Sequence, residues 1–390
     1  MKTRGRFVPW HQAWQTALYG PNGFYRRPEG PAGHFRTACH AGADVLAVAL
    51  ARLATHAGCT TIVDVGAGRG ELLTALARLD PAHQPEPASP AGLPSDSGEN
   101  PGSGENPGRA LVGGAGQRRL RLHGVDVVGR PAALPAAVGW SCGLKELPDD
   151  VLDGALVVAW ELLDVVPTPI AEVCPDDIAR IVLVDPATGE EHLGSPLTAV
   201  EAAWCARWWP LVGTRPGTRI EIGTPRDTLW AGLVERVART RNGGLLLAVD
   251  YSHEAHDRPP EGSLSAFHGG RAVPPVPDGS CDLTTEVALD AVAAAGERAG
   301  ATSSLVLQQR AALRAIGVAI NPGALAGAGV GAAATAALRA QLELRSRLNE
   351  LLDESGLGGF TWLLQGVRRP VPGTLAGGPP AAGKAGARRR

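Results

Sequence analysis

Four short apolar runs mark the chain, each bounded by glycine or polar residues: Thr61–Val65, Leu120–Val125, Gly154–Trp160 and Leu245–Asp250. Their apolarity is continuous rather than alternating, which predicts strands buried on both faces, as in a parallel sheet. Elsewhere the period changes. Leu229, Leu233 and Val237 recur every four residues, with Trp230 and Val234 beside them, and predict a helix. Thr224 is its expected N-cap, Pro225 fits its first position, Asp227 suits its first turn and Asn242–Gly244 ends it. Further helices are expected from about Thr285 and over Ala332–Leu352. Strands alternating with helices predict a doubly wound α/β sheet with elaborations.

Two stretches break this pattern. Residues 81–119 are dense in Pro, Gly and Ser and carry a tandem SGENPG, Ser97–Gly102 and Ser103–Gly108. Such a segment buries too little apolar surface to offset its chain entropy, so a disordered insertion is expected. The tail, 370–390, reads the same way and ends in three arginines.

Residues 60–79, TTIVDVGAGRGELLTALARL, join the first strand, a glycine turn and a helix. In an open parallel sheet, ligands bind at the carboxyl ends of the strands, near the point where strand order reverses. Glycine permits positive φ and removes the Cβ that would block a ligand. A dinucleotide turn would place its third glycine at position 71, which is Glu71, and a phosphate-binding loop would need Gly-Lys-Ser/Thr, which is absent. The order acid-x-Gly-x-Gly-x-Gly, Asp64 to Gly70, is instead similar to motif I of class I S-adenosylmethionine (SAM) methyltransferases. Asp64, Gly66, Ala67, Gly68 and Gly70 are therefore candidate cofactor residues; a purely structural turn is the alternative. A nucleoside-binding sheet also needs an acid at the end of its second strand, to accept hydrogen bonds from ribose. Asp126 holds that place. It follows Asp64 by 62 residues, and removing the 39 of the 81–119 insertion leaves 23, close to the expected spacing of about 20.

Composition adds mostly exclusions. The chain has 390 residues and a net charge of −2, which gives no reason to expect nucleic acid or an anionic membrane as partner. Its six cysteines include no C-x-x-C pair, so no metal site or disulfide framework is signalled and a cytoplasmic location is expected. No run of eighteen apolar residues suggests a membrane span, and the basic start lacks the apolar core of a secretory signal. Arginine outnumbers lysine 34 to 3, which reads as coding bias rather than chemistry.

The set of local motifs resembles the MidA-like family of SAM-dependent methyltransferases, from about residue 16 to 367. ALYGPNGFYRR (17–27) is similar to the family's A-L-Y-x-P-x-x-G-Y-Y, and AGHFRTACHAG (32–42) to its G-D-F-x-T-x-P-E-I-S. VVAWELLDVVP (157–167) resembles its A-N-E-x-x-D-A-x-P, and LLAVDYSH (246–253) its fifth-strand segment. GSLSAFHGGRAVPPVPDGSCDLTTEVALDAV (262–292) resembles its late G-T-L…D-x-T-x-x-V segment. The chain departs from the family at His34, Cys39-His40, Trp160 and Gly270. The resemblance implies a Rossmann-like class I sheet over residues 60–369, an insertion between strands four and five at 167–218, and an amino-terminal helical or lid segment at 1–59. It also implies that Phe35 and Thr37 lie over the cofactor, SAM. Its mitochondrial members are similar to protein arginine methyltransferases that assist respiratory complex I assembly.

If the acceptor is a guanidinium, carboxylates must orient it and share its charge. Glu161 and Asp164, just beyond strand four, are the candidate catalytic pair; spaced by three on a turn, they can face one side. A structural use, one as a helix acid and the other facing solvent, is the alternative. Asp250 and Tyr251 either line the pocket or cap a loop. His34, His40, His253 and His268 are loose candidates for a base. Trp204, Trp208 and Trp209 are expected to pack in the core rather than stack a cation. Three functions stay open: a SAM-dependent methyltransferase acting on a protein side chain, arginine first; an assembly factor that keeps SAM binding without catalysis; and a nicotinamide oxidoreductase, disfavoured by Glu71.

Overall fold

The computed structural model describes residues 7–27, 37–79, 120–210, 213–318 and 332–376. Phe35, His34 and the 81–119 insertion lie outside them. In chain order the elements begin β1 (Val8–Pro9), α1 (Trp10–Tyr19), α2 (Ala38–His56), β2 (Thr61–Val65), α3 (Glu71–Leu79), β3 (Arg121–Asp126), β4 (Gly139–Cys142), α4 (Asp149–Leu152) and β5 (Ala155–Trp160). There follow β6 (Ile170–Val173), β7 (Ala179–Val184), β8 (Glu191–Pro196), α5 (Ala199–Trp208), β9 (Arg219–Glu221), α6 (Thr224–Arg239) and β10 (Gly244–Asp250). The last part holds β11 (Ser252–His253), β12 (Ser265–His268), β13 (Arg271–Val273), β14 (Asp282–Thr284), β15 (Val287–Ala288), α7 (Leu289–Arg298), β16 (Ser303–Gln308), α8 (Gln309–Ala315), α9 (Ala332–Leu352), β17 (Thr361–Val367) and α10 (Gly373–Ala376).

Seven strands form the central sheet in the order β16-β17-β10-β5-β2-β3-β4. The run from β10 to β4 is parallel, and β17 runs antiparallel to both its neighbours. Strand order reverses at β2, between β3 and β5, which opens a crevice at their carboxyl ends. Alternate residues of each strand feed opposite faces. Ile62, Leu156, Leu245 and Leu247 pack with α2, α3 and α8, while Val63, Val157, Leu246 and Ala248 pack with α6 and α7. Burial on both faces is why these strands read as unbroken apolar runs.

The four expected strands lie within a residue of their expected bounds. Three expectations are corrected. Thr224 is the first helical residue, and Gly223 is the N-cap with no capping side chain. The helix expected from Thr285 begins at Leu289, because Val287–Ala288 pair with β11 first. The tail is not solvated from Pro370: Leu375 is buried, and Val371 packs against the same core.

The amino-terminal segment divides in two. β1 pairs with β7, so the chain's start belongs to a second sheet, β1-β7-β6-β9 with β8 on β7, built mostly from the insertion after β5. That sheet reaches Glu221, past the expected bound at 218. α2 is no lid. It is long and apolar enough to cross a membrane by length and composition, yet most of it is buried against α3, α9 and the sheet. Gly42 kinks it, and a Cβ there would lie 2.5 Å from Leu351 Cδ1 of α9.

Candidate functional site

β2 ends in Asp64-Val65 and passes into the turn before α3. Gly66, Gly68 and Gly70 have φ of +80°, +55° and +77°, a region that side chains rarely enter. A Cβ at Gly66 would meet Leu162 Cδ1 at 2.9 Å and one at Gly70 would meet Leu134 Cδ1 at 2.6 Å. At Gly68 it would approach only Glu71 Oε2, at 3.7 Å, so this glycine faces open space. The turn is fastened to the next strand. Gly66 and Ala67 amides donate to the Val125 carbonyl at 2.8 and 3.1 Å, and Gly68 N–H donates to Asp126 Oδ2 at 2.8 Å.

This turn walls one end of a cavity of about 1140 Å³. Thr37, Asp64, Gly66, Ala67, Gly68, Asp126, Glu161 and Asp164, all expected at the site, line it together. Gly70 sits just behind the wall, steering the chain into α3. Burial pushes the Asp64 carboxyl up to about 7, with Asp126 and Glu71 adding to the shift. Burial also raises Asp126, against hydrogen bonds from the Gly68 and Val128 amides. Thr37 caps α2. Its hydroxyl accepts from His40 N–H at 3.2 Å, and His40 Nε2 lies 3.3 Å from Glu71 Oε1, tying the start of α2 to the start of α3. Burial would raise Glu71, but the hydrogen bond and charge of His40, together with the amides of Glu71 and Arg69, hold the carboxyl below its ordinary value.

The end of β5 supplies the acids. Glu161 holds φ at +51°, in the left-handed region without being glycine. The cost of such a backbone, about 1–3 kcal/mol, persists only where the surroundings impose it. Two bonds impose it here: Glu161 N–H donates to the Val249 carbonyl at 2.8 Å, and its carboxylate accepts from Ala38 N–H at 2.8 Å, at the start of α2. Burial, then the Asp164 charge, push Glu161 up to about 8. Asp164 Oδ1 is buried without a hydrogen-bond partner among the described residues. Behind the wall, Asp250 accepts from Leu163 and Asp164 amides at 3.4 and 3.3 Å, so it holds the loop rather than lining the cavity. Burial raises both Asp164 and Asp250, and the Asp164 charge beside Asp250 raises it further.

The opposite wall contains residues the sequence reading did not single out. Tyr25 OH donates to Asp282 Oδ1 at 2.9 Å, and Tyr19 stacks on Tyr25 with ring centroids 5.5 Å apart. Burial pushes Asp282 up to about 8, against the Tyr25 hydrogen bond and with help from Asp164. Arg226, fully buried in α6, donates to the carbonyls of Asp164, Thr285 and Glu286 and to the Thr285 hydroxyl, joining the two walls from behind. Tyr19 and Tyr25 lie in ALYGPNGFYRR and Asp282 heads DLTTEV, so the motifs pointed to the segments but not to these side chains. His253 and His268 lie off the cavity, and His40 alone of the described histidine candidates is on its wall. Trp204 and Trp209 pack in the core, and Trp204 Nε1 donates to Asp227 at 2.8 Å.

A family model described as "Putative S-adenosyl-L-methionine-dependent methyltransferase" matches residues 115–307. Two solved structures from Burkholderia thailandensis share the fold. One, described as a "likely methyl transferase" bound to S-adenosyl-homocysteine, is 22% identical with a TM-score of 0.66, over 93% of this chain and 88% of that one. The other, a native structure of an uncharacterized protein of the same superfamily, is 21% identical with a TM-score of 0.64, over 93% and 88%. Comparison with the curated proteins gave no match.

Proposed function

We propose that this chain is a SAM-dependent methyltransferase of the MidA-like family and that its methyl acceptor is a protein side chain, first of all an arginine. One observation carries this reading: the cavity that meets the glycine turn continues into three carboxylates, the half-buried Glu161 and the buried Asp164 and Asp282, beside two stacked tyrosines. Its volume of about 1140 Å³ exceeds the roughly 300–1,000 Å³ of a single-ligand pocket, which suits a cofactor and an acceptor side by side. Carboxylates and aromatic faces together favour a planar cation.

In this reading Gly66–Gly68 leave bare main chain for the cofactor, Asp126 takes the ribose hydroxyls, and Thr37 closes over it. SAM supplies an electrophilic methyl: the new N–C bond forms as the S–C bond breaks, with its electron pair staying on sulfur. Glu161 orients the acceptor nitrogen and receives the proton it releases. Asp164 shares the positive charge, while Asp250 and Arg226 fix the loops that hold both carboxylates. Holding donor and acceptor in line, away from water, supplies much of the acceleration. We extend the proposal to a cytoplasmic location, on the support of six cysteines that are all unpaired.

Trp160 favours a second reading. It stands where the family has Asn, packs edge-on against Trp362 with centroids 5.5 Å apart, and leaves its buried Nε1 without a hydrogen-bond partner among the described residues. A chain that lost an amide there could hold SAM and a partner without transferring methyl. Methyl-labelled SAM, incubated with arginine peptides and with lysate proteins, separates the two. Label on arginine supports the first reading, and tight SAM binding with no labelled product supports the second.

A further inference from the structure

We infer that Asp282, held by Tyr25, is the residue that selects a cationic acceptor, in a subsite separate from Glu161. The inference rests on the methyl-transfer reading above and adds the recognition element to it. Asp282 is 1% exposed, yet among the described residues its side-chain partner is a neutral phenol, Tyr25, at 2.9 Å. A carboxyl buried in this way holds its proton until a cation reaches it and stabilises the ionised form. The cavity gives a cation that access, because Asp282, Thr284 and Thr285 all line it. Asp164 sits close enough to Asp282 to raise its affinity for protons, and Asp164 Oδ1 has no hydrogen-bond partner among the described residues. Asp282 and Asp164, both lining the cavity, fit the two edges of a guanidinium.

The tyrosines complete the subsite. Tyr19 and Tyr25 stack at 5.5 Å with an interplanar angle of 22°, presenting a flat aromatic wall. Tyr19 OH is anchored on the Val165 carbonyl at 3.0 Å, one residue beyond Asp164. A planar cation is thus offered an aromatic face and carboxylate edges within one cavity. Glu161 differs: its carboxylate is already engaged by Ala38 N–H at the start of α2, on the glycine-turn side. Glu161 is placed for the reaction and Asp282 for selection.

The test uses two short peptides that differ only at arginine against citrulline, which keeps the shape and removes the charge. Their affinities are measured by calorimetry on the full chain with S-adenosylhomocysteine present. Wild type is expected to prefer the arginine peptide. Asp282→Asn is expected to weaken the arginine peptide about 30-fold, as for loss of a charged hydrogen bond, and to leave the citrulline peptide and the S-adenosylhomocysteine affinity little changed. Asp282→Glu should recover part of the preference. If Asp282→Asn does not fold, Tyr25→Phe keeps the acid, removes its donor, and should give a smaller loss in the same direction. A merely structural tether between Tyr25 and β14 would lower thermal stability and leave the preference intact. A preference retained in Asp282→Asn overturns the assignment alone. A wild type with no preference for the charged peptide overturns both the assignment and the arginine reading.

Discussion

The amide of Gly68 donates a hydrogen bond of 2.8 Å to the carboxylate of Asp126, joining the turn after β2 to the end of β3. The bond places an acid one strand away from an exposed stretch of main chain, which is the arrangement a ribose needs. Gly68→Val is expected to abolish SAM binding, because the side chain would enter the cavity. Its φ of +55° adds a stability cost of about 1–3 kcal/mol without unfolding the chain. Asp126→Ala should weaken SAM about 30-fold, the loss expected for hydrogen bonds to a charged acceptor. Calorimetry and thermal denaturation read both.

Glu161→Gln should spare SAM affinity and lower kcat by about 10²–10⁴, the usual worth of a positioned base. Labelled methyl transfer under saturating SAM measures this. A fully active variant would remove Glu161 from its role.

The same group makes stability depend on pH. A carboxyl whose folded pKa lies above its unfolded value favours the fold below the unfolded value, and that contribution is lost as pH rises through the folded one. Glu161 and Asp282 sit at about 8 and Asp64 at about 7, so the unliganded protein should lose thermal stability as pH rises from about 5 to 9. Glu161→Gln should flatten part of that fall. Ligand binding should show the opposite sign: the sulfonium of SAM favours ionised carboxylates, so SAM should bind more tightly at pH 8.5 than at pH 6. S-adenosylhomocysteine, whose sulfur is neutral, should respond less.

Arg226 is a buried cation whose donors go to main-chain carbonyls on both walls. Arg226→Met should destabilise the fold by about 3–5 kcal/mol, since Asp164, Asp250 and Glu221 would keep their burial and lose their nearby charge. Urea denaturation measures the loss.

The parallel strands were legible because both faces of each are buried, so periodicity alone identified Thr61–Val65 and its neighbours. β17 was not singled out: TWLLQGV is as apolar as the parallel strands, and its reversed direction leaves no mark in composition. The second sheet was missed because its strands are short and partly exposed, and one of them, β1, comes from the far end of the chain. At the site, the glycines and Asp126 could be named from spacing. Asp282 could not, since its partner Tyr25 lies 257 residues away in sequence. Nor does anything in WELLD announce that Glu161 takes a positive φ.

The most direct measurement is a crystal structure of the chain with S-adenosylhomocysteine. The account predicts the ribose hydroxyls within hydrogen-bond distance of Asp126, the nucleoside lying along Gly66–Gly68, and the sulfur facing Glu161. A nucleoside bound elsewhere, or an Asp126 carboxylate still engaged only by Gly68, would contradict it.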